Sequence, residues 1–131
     1  MKKQKGQALL IVILCINIFL VVVLVTSNLM LKEMKIQGNI DDSMAAYYAA
    51  EAGMEKAVLD IKDGVPSLPY NSPIRSFSTG YTWQYSIENS DPYIIHGIGM
   101  KNDSKREIQA TVKQSATGGI FWPENWKEIT P

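Results

Sequence analysis

The chain has 131 residues, with 13 basic and 13 acidic side chains and therefore no formal net charge at pH 7. This length allows one domain, and the balanced charge excludes a general field that gathers nucleic acid or an acidic substrate. The single cysteine, Cys15, has no partner for a disulfide and lies in an apolar run, so we interpret it as a small hydrophobic residue.

Residues 1–6 are a short basic leader, Met-Lys-Lys-Gln-Lys-Gly, and an apolar run from Ala8 to Val25 follows, interrupted by Asn17. A helix of about 20 apolar residues crosses a bilayer core of about 30 Å. The lysines all precede the run, which predicts a cytoplasmic N-terminus and an outside position for the rest of the chain. We therefore predict that residues 7–31 form the transmembrane half of a long helix.

The N-terminus has four candidate fates. A cleaved secretory signal requires a shorter apolar region and a site of small residues, and Val25-Thr26-Ser27-Asn28 is a poor site. A lipoprotein would be modified at Cys15, but Leu14 before it is bulky. A signal anchor fits the hydropathy and the charge without explaining the glycine at position 6. The fourth fate is cleavage between Gly6 and Gln7, which removes the leader and retains the membrane helix.

Residues 32–63 are predicted to form the amphipathic half of the same helix, because they contain no proline and carry apolar side chains at helical spacing. Gly64-Val65-Pro66 predicts an end near Asp63, and Gly38-Asn39 predicts a kink or local melting, since glycine weakens a helix. The predicted apolar stripe consists of Ile36, Ile40, Met44, Tyr47, Met54, Val58 and Ile61.

A segment of small residues lies within this helix, Ala49-Ala50-Glu51-Ala52-Gly53. Small side chains allow another backbone to approach closely. The neighbour is the sheet of the same domain, the helix of another subunit, or both on different faces of the helix, and these alternatives stay open. We interpret Glu51 as a solvated carboxylate, because burying it unpaired costs several kcal/mol.

Residues 64–80 are predicted to be a loop, and residues 81–131 a sheet with an aromatic tail. Period-two patterns and turn residues predict three antiparallel strands, at 81–88, 93–100 and 105–113. The amphipathic helix is the only large cover for the apolar face. The predicted fold is therefore α+β, a long N-terminal helix, transmembrane then amphipathic, packed on a small three-stranded antiparallel sheet.

The tail carries three large aromatic residues, Phe121, Trp122 and Trp126. Either they fold back on the sheet, or they contact a partner, since tryptophan is favoured at interfaces. His96 has no cysteine or carboxylate cluster around it at metal-ligand spacing, and no nucleotide or nucleophile motif occurs. We predict no catalytic activity, no cofactor, no metal and no nucleic-acid binding.

Two motifs carry a family resemblance. The sequence Lys5-Gly6-Gln7-Ala8-Leu9-Leu10 before an apolar span resembles a type IV prepilin leader. The stretch from Met44 to Ala57 is similar to the signature of pilin-like proteins of the PilX N-terminal type and of minor pseudopilins of type II secretion. The resemblance implies that a prepilin peptidase cleaves between Gly6 and Gln7 and methylates Gln7. Position 11 is isoleucine where prepilins usually have glutamate, which by resemblance favours a tip or initiating subunit.

The resemblance further implies a minor pilin or pseudopilin, first a single-pass membrane protein with its C-terminal domain outside and then part of a filament. Its partners would be the peptidase, other pilin subunits and an inner-membrane assembly platform. The residues expected in the assembly helix are Ile11, Asn17, Ala49, Ala50, Glu51, Ala52 and Gly53. The alternative is a single-pass, signal-anchored protein with a small extracellular binding domain that does not polymerise.

Overall fold

The structure is a computed structural model that describes residues 3–64, 67–89, 92–113 and 123–129. One helix precedes six strands. Their bounds are α1 Lys3–Asp63, β1 Tyr70–Asn71, β2 Arg75–Ser76, β3 Thr82–Glu88, β4 Tyr93–Lys101, β5 Ser104–Val112 and β6 Pro123–Ile129. The chain divides into two compact units, Met1–Gly38 and Asn39–Pro131.

Helix α1 ends where the sequence predicts. Its last residue is Asp63, and Gly64 follows with φ of 95° and an N–H that donates to the Ile61 carbonyl at 3.3 Å. A glycine in this left-handed conformation is a common helix terminator. The helix continues through Gly38 and Asn39, so the local melting expected there is not observed. The helical segment Gly6–Asp63 is long and apolar enough to cross a membrane, and its apolar part is not buried by any described residue.

The sheet is antiparallel throughout, with the order β1-β3-β4-β5-β6, and β2 also pairs with β3. Strands β3, β4 and β5 confirm the three predicted strands with shifts of one residue at their ends. The predicted number of strands is wrong, because the described sheet has six. The α+β class is confirmed: a long N-terminal helix packs on an antiparallel sheet.

The three additional strands have no period-two pattern that sequence reasoning can detect. Strands β1 and β2 have two residues each and lie in the segment 64–80 that was expected to be a loop. They are held by main-chain pairing to β3 and by Ser72, whose N–H donates to the Tyr85 carbonyl and whose hydroxyl accepts from the Tyr85 N–H, both at 2.8 Å. Strand β6 is mainly polar and lies at the sheet edge, where one side needs no neighbour.

The core lies between the second half of α1 and one face of the sheet. Its strand residues alternate as predicted along β3 and β5. The predicted helix stripe is only partly correct, since Met54 and Ile61 are buried whereas Ile36, Ile40 and Met44 are exposed. The buried helix residues are mostly small: Ala46, Ala49, Ala50, Met54, Ala57 and Ile61. A prediction from hydrophobic periodicity depends mainly on large apolar side chains. It missed the buried face of this helix because that face consists mostly of alanines.

The alanines are required because the backbones of α1 and β4 approach each other closely. A Cβ added at Gly99 would lie 1.9 Å from the Ala46 carbonyl oxygen and 2.5 Å from the Ala50 nitrogen. One added at Gly97 would lie 2.5 Å from the Ala50 carbonyl oxygen. Real Cβ atoms do not occupy such positions, so only glycine fits at both places. On the helix side, a Cβ added at Gly53 would lie 3.1 Å from the carbonyl oxygen of Gln84.

A polar cluster joins the C-terminal part of α1 to β3. Asp60 accepts hydrogen bonds from the Lys56 ammonium and from the Tyr85 hydroxyl. Burial acts to raise the pKa of Asp60, but the hydrogen bonds from Lys56 and Tyr85 outweigh it and hold the pKa below its ordinary value of 3.8. Burial, together with the neighbouring Asp60 carboxylate, raises the pKa of Tyr85.

A second polar cluster joins the sheet to α1 near Asp42 and Ser43. The Asn102 amide donates to Asp42 Oδ2 at 2.7 Å. Arg106 donates from Nε to Ser43 Oγ at 2.9 Å and from Nη1 to Glu128 Oε1 at 2.6 Å, which connects β6 to the same place. Polar contacts toward both ends of the alanine surface therefore hold the helix on the sheet.

We expect Gly99→Ala to destabilise the domain by about 3 kcal/mol, because the added methyl forces the helix away from β4. The matched control is Gly38→Ala, where nothing lies within 4 Å of the added Cβ and alanine stabilises a helix by about 1 kcal/mol relative to glycine. Chemical unfolding of the full-length protein in detergent, followed by tryptophan fluorescence, measures both. Equal stability of the two variants would contradict the close approach.

We expect Asp60→Asn to destabilise the fold by about 2 kcal/mol at pH 7, since hydrogen bonds to a charged group are lost. Because the folded pKa of Asp60 is lowered, its contribution is fully present above pH 3.8 and disappears as the pH falls through the folded pKa. The unfolding free energy of the wild type should therefore approach that of Asp60→Asn below pH 3.8. A constant difference across the acid range would contradict this assignment.

Candidate assembly surface

The predicted processing site lies within α1, in its first two turns. Gly6 and Gln7 are exposed, and nothing lies within 4 Å of a Cβ built on Gly6. No described contact therefore requires glycine at position 6.

The apolar part of α1 is exposed on all sides. Ile11 is among its exposed residues, and so are the other aliphatic side chains up to Val25. The polar groups in this part bond to the helix itself: Asn17 Nδ2 donates to the Ile13 carbonyl at 2.9 Å, and Ser27 Oγ donates to the Val23 carbonyl at 2.8 Å. Such bonds remove the cost of polar groups in an apolar environment. The Asn17 side chain still has a carbonyl oxygen and one N–H available for another helix.

The small-residue segment is divided by the fold. Ala49, Ala50 and Gly53 are buried against the sheet of the same domain, so the intramolecular alternative holds for them and they offer no surface to another subunit. Ala52 and Glu51 are half-buried on the border of this contact. The assembly role predicted for the segment stays a prediction, and the surface left open to it is that of Glu51 and Ala52.

A second apolar surface lies on the helix face that points away from the sheet, and sequence reasoning missed it. Met44, Tyr48 and Leu59 are 51%, 58% and 53% exposed. We call these three residues the outer helix face. Their separations of four and eleven residues bring them to one side of a helix. Tyr48 and Leu59 were not assigned from the sequence, and Met44 was assigned to the core, because a periodic pattern alone does not tell which of two apolar faces is covered.

A shallow pocket borders this outer face. Its lining residues are Ser43, Met44, Tyr47, Tyr48, Arg106 and Glu128. The rings of Tyr47 and Tyr48 meet edge to face with centroids 6.1 Å apart. Burial, followed by the charge of Glu51, raises the pKa of the Tyr47 hydroxyl. The pocket therefore combines aromatic surface with an Arg106–Glu128 ion pair.

The aromatic tail is described only in part. Trp126 lies on β6 and is 41% exposed. Strand β6 pairs with β5 along the sheet edge, in agreement with the tail folding back on the sheet. Phe121 and Trp122 lie outside the described residues, so their assignment as partner contacts stays a prediction.

Among the described residues, no group of three or more histidine, cysteine, aspartate or glutamate side chains is arranged to hold a metal ion. His96 lies on β4 with Nδ1 3.1 Å from Glu107 Oε1 on β5. Cys15 is exposed in the apolar part of α1. His96 and Glu107 thus form a cross-strand pair, and Cys15 is a free thiol.

Comparison of the chain with protein-family models, with curated proteins and with solved structures finds no significant match.

We expect Ala50→Leu to destabilise the domain by about 2 kcal/mol, because the larger side chain separates the helix from the sheet. Tyr48→Ser, two residues away on the outer helix face, should change stability by no more than about 0.5 kcal/mol. Unfolding of the two full-length variants in detergent makes the comparison. A larger loss for Tyr48→Ser than for Ala50→Leu would show that the buried and exposed faces are assigned the wrong way round.

Proposed function

We propose that this protein is a minor pilin or pseudopilin, a subunit of a type IV pilus or of a type II secretion-like filament. The observation that carries the proposal is an apolar helical segment, exposed on all sides, that begins directly after Lys5-Gly6. A leader of this kind before a retained helix resembles prepilins, and an ordinary signal anchor gives no reason for its glycine at position 6. The stretch from Met44 to Ala57 adds a second point of resemblance.

The physical basis of assembly is an exchange of environments. A segment that is apolar on all sides is stable in lipid, and it leaves lipid only if other apolar surface replaces the acyl chains. A bundle of equivalent helices provides that surface. The free amide groups of Asn17 would then bond to a neighbouring helix, with a contribution of about 1 kcal/mol.

The outer helix face is the second surface that this function uses. Its residues Met44, Tyr48 and Leu59 are exposed, whereas Ala50 and Gly53 are occupied by the sheet. A subunit thus keeps its own domain folded with one face of α1 and contacts neighbouring subunits with the other. Such a division requires no rearrangement of the domain on assembly.

In this proposal the protein is inserted in the membrane with its N-terminus in the cytoplasm and its second unit outside. A prepilin peptidase removes residues 1–6 and methylates Gln7, and an inner-membrane assembly platform then transfers the subunit into the filament. Isoleucine at position 11, in place of the usual glutamate, fits a tip or initiating position.

The second candidate is a signal-anchored protein with a small external binding domain. The observation that favours it is the pocket between Tyr47, Tyr48 and Arg106, which has both aromatic and charged lining and is formed without another subunit. Both candidates have the same topology. They differ in the state of the N-terminus and in association with filaments.

The test is the intact mass and N-terminal sequence of the protein purified from its native membrane. We expect a chain that begins at Gln7 and carries one added methyl group. Gly6→Ala should abolish this processing and leave a chain that begins at Met1 or Lys2, with no loss of stability, because no described atom lies near the new methyl.

Gly38→Ala is the matched control, a glycine of the same helix whose added Cβ also meets open space. It should be processed like the wild type. A wild-type protein that retains its leader would remove the pilin assignment and leave the signal anchor.

A further inference from the structure

The bond between Gly6 and Gln7 lies inside a helix, because α1 begins at Lys3. In an α-helix the carbonyl oxygen of residue 6 accepts the N–H of residue 10. Peptide hydrolysis requires access to the carbonyl carbon and hydrogen-bond donors from the enzyme at the oxygen as negative charge develops. A helical Gly6 carbonyl offers neither, so the helix must open at this point before cleavage.

Several features make this end of α1 easy to open. The first four N–H groups of a helix have no intrahelical partner, and glycine is among the poorest helix formers. No acidic residue lies in the first turn to offset the positive end of the helix dipole. No side chain packs against Gly6. The leader is therefore joined to a strongly apolar helix and yet contributes little to helix stability.

We propose that opening of the first turns of α1, from Lys3 to Gln7, sets the rate at which the leader is removed, so that helix stability in the leader is a specificity determinant beside the Lys-Gly motif. This inference rests on the proposed function. In the reaction a water molecule adds its oxygen to the Gly6 carbonyl carbon and the bond to the Gln7 nitrogen breaks. A proton passes to that nitrogen, which leaves a carboxylate on Gly6 and an amine on Gln7.

Gln4 offers a test that changes neither the charge nor the residues of the scissile bond. Full-length Gln4→Gly and Gln4→Ala are cleaved in detergent by a purified prepilin peptidase at substrate concentrations below KM. We expect Gln4→Gly to be cleaved about fivefold faster than Gln4→Ala, since the two residues differ by about 1 kcal/mol in helix propensity, with the wild type between them. Amide hydrogen exchange at Gln7 and at Leu10, whose N–H bonds to the Gly6 carbonyl in the helix, should follow the same order when measured without peptidase.

A second variant on the other side of the bond guards against a direct contact of Gln4 with the peptidase. Ala8→Gly weakens the same helical turns and should raise both the cleavage rate and the exchange rate. Gly38→Ala, far from the site, should change neither. Equal cleavage of the Gln4 variants, or rates that do not follow the exchange order, would overturn the inference while wild-type cleavage still supports the proposed function. If the wild type is not cleaved at all, the proposed function itself fails.

Discussion

The close contact between the backbones of α1 and β4 is the interaction on which the folded domain depends. Gly97 and Gly99 have no side chain where the helix passes, and Ala46 and Ala50 bring the helix backbone within reach of them. Contact of this kind buries little area per residue, so its stability comes from dense packing along the interface. The polar contacts at Asp42, Ser43 and Asp60 then hold the helix in one position along the sheet.

This contact also decides which helix surface remains for other molecules. With the alanine face covered, the opposite face of the helix in the second unit keeps apolar residues exposed, at Met44, Tyr48 and Leu59. In the first unit the apolar side chains have no cover among the described residues. An environment that covers this apolar surface is required for it to be stable, because exposed apolar area of this extent is unfavourable in water. The proposed exchange from bilayer to filament satisfies this requirement at both stages.

Much of the fold was predicted correctly from local patterns in the sequence. The end of α1 at Asp63, the three central strands and the inward positions of Trp83, Ile108 and Val112 agree with expectations from glycine punctuation and period-two alternation. The incorrect predictions have three physical reasons. Strands β1 and β2 are too short to show a period, β6 is a polar edge strand, and Ile36, Ile40 and Met44 were placed in the core because large apolar residues dominate a periodic pattern.

The sequence by itself determined the membrane-compatible segment and the α+β class, because hydropathy and local periodicity are properties of neighbouring residues. It also carries the resemblance on which the predicted processing between Gly6 and Gln7 rests. Only the tertiary structure decided what the small residues at 49–53 contact. A run of alanine and glycine fits a sheet and a neighbouring helix equally well. The choice was made by Gly97 and Gly99, about fifty residues away, whose lack of a side chain leaves room for that helix and for nothing larger.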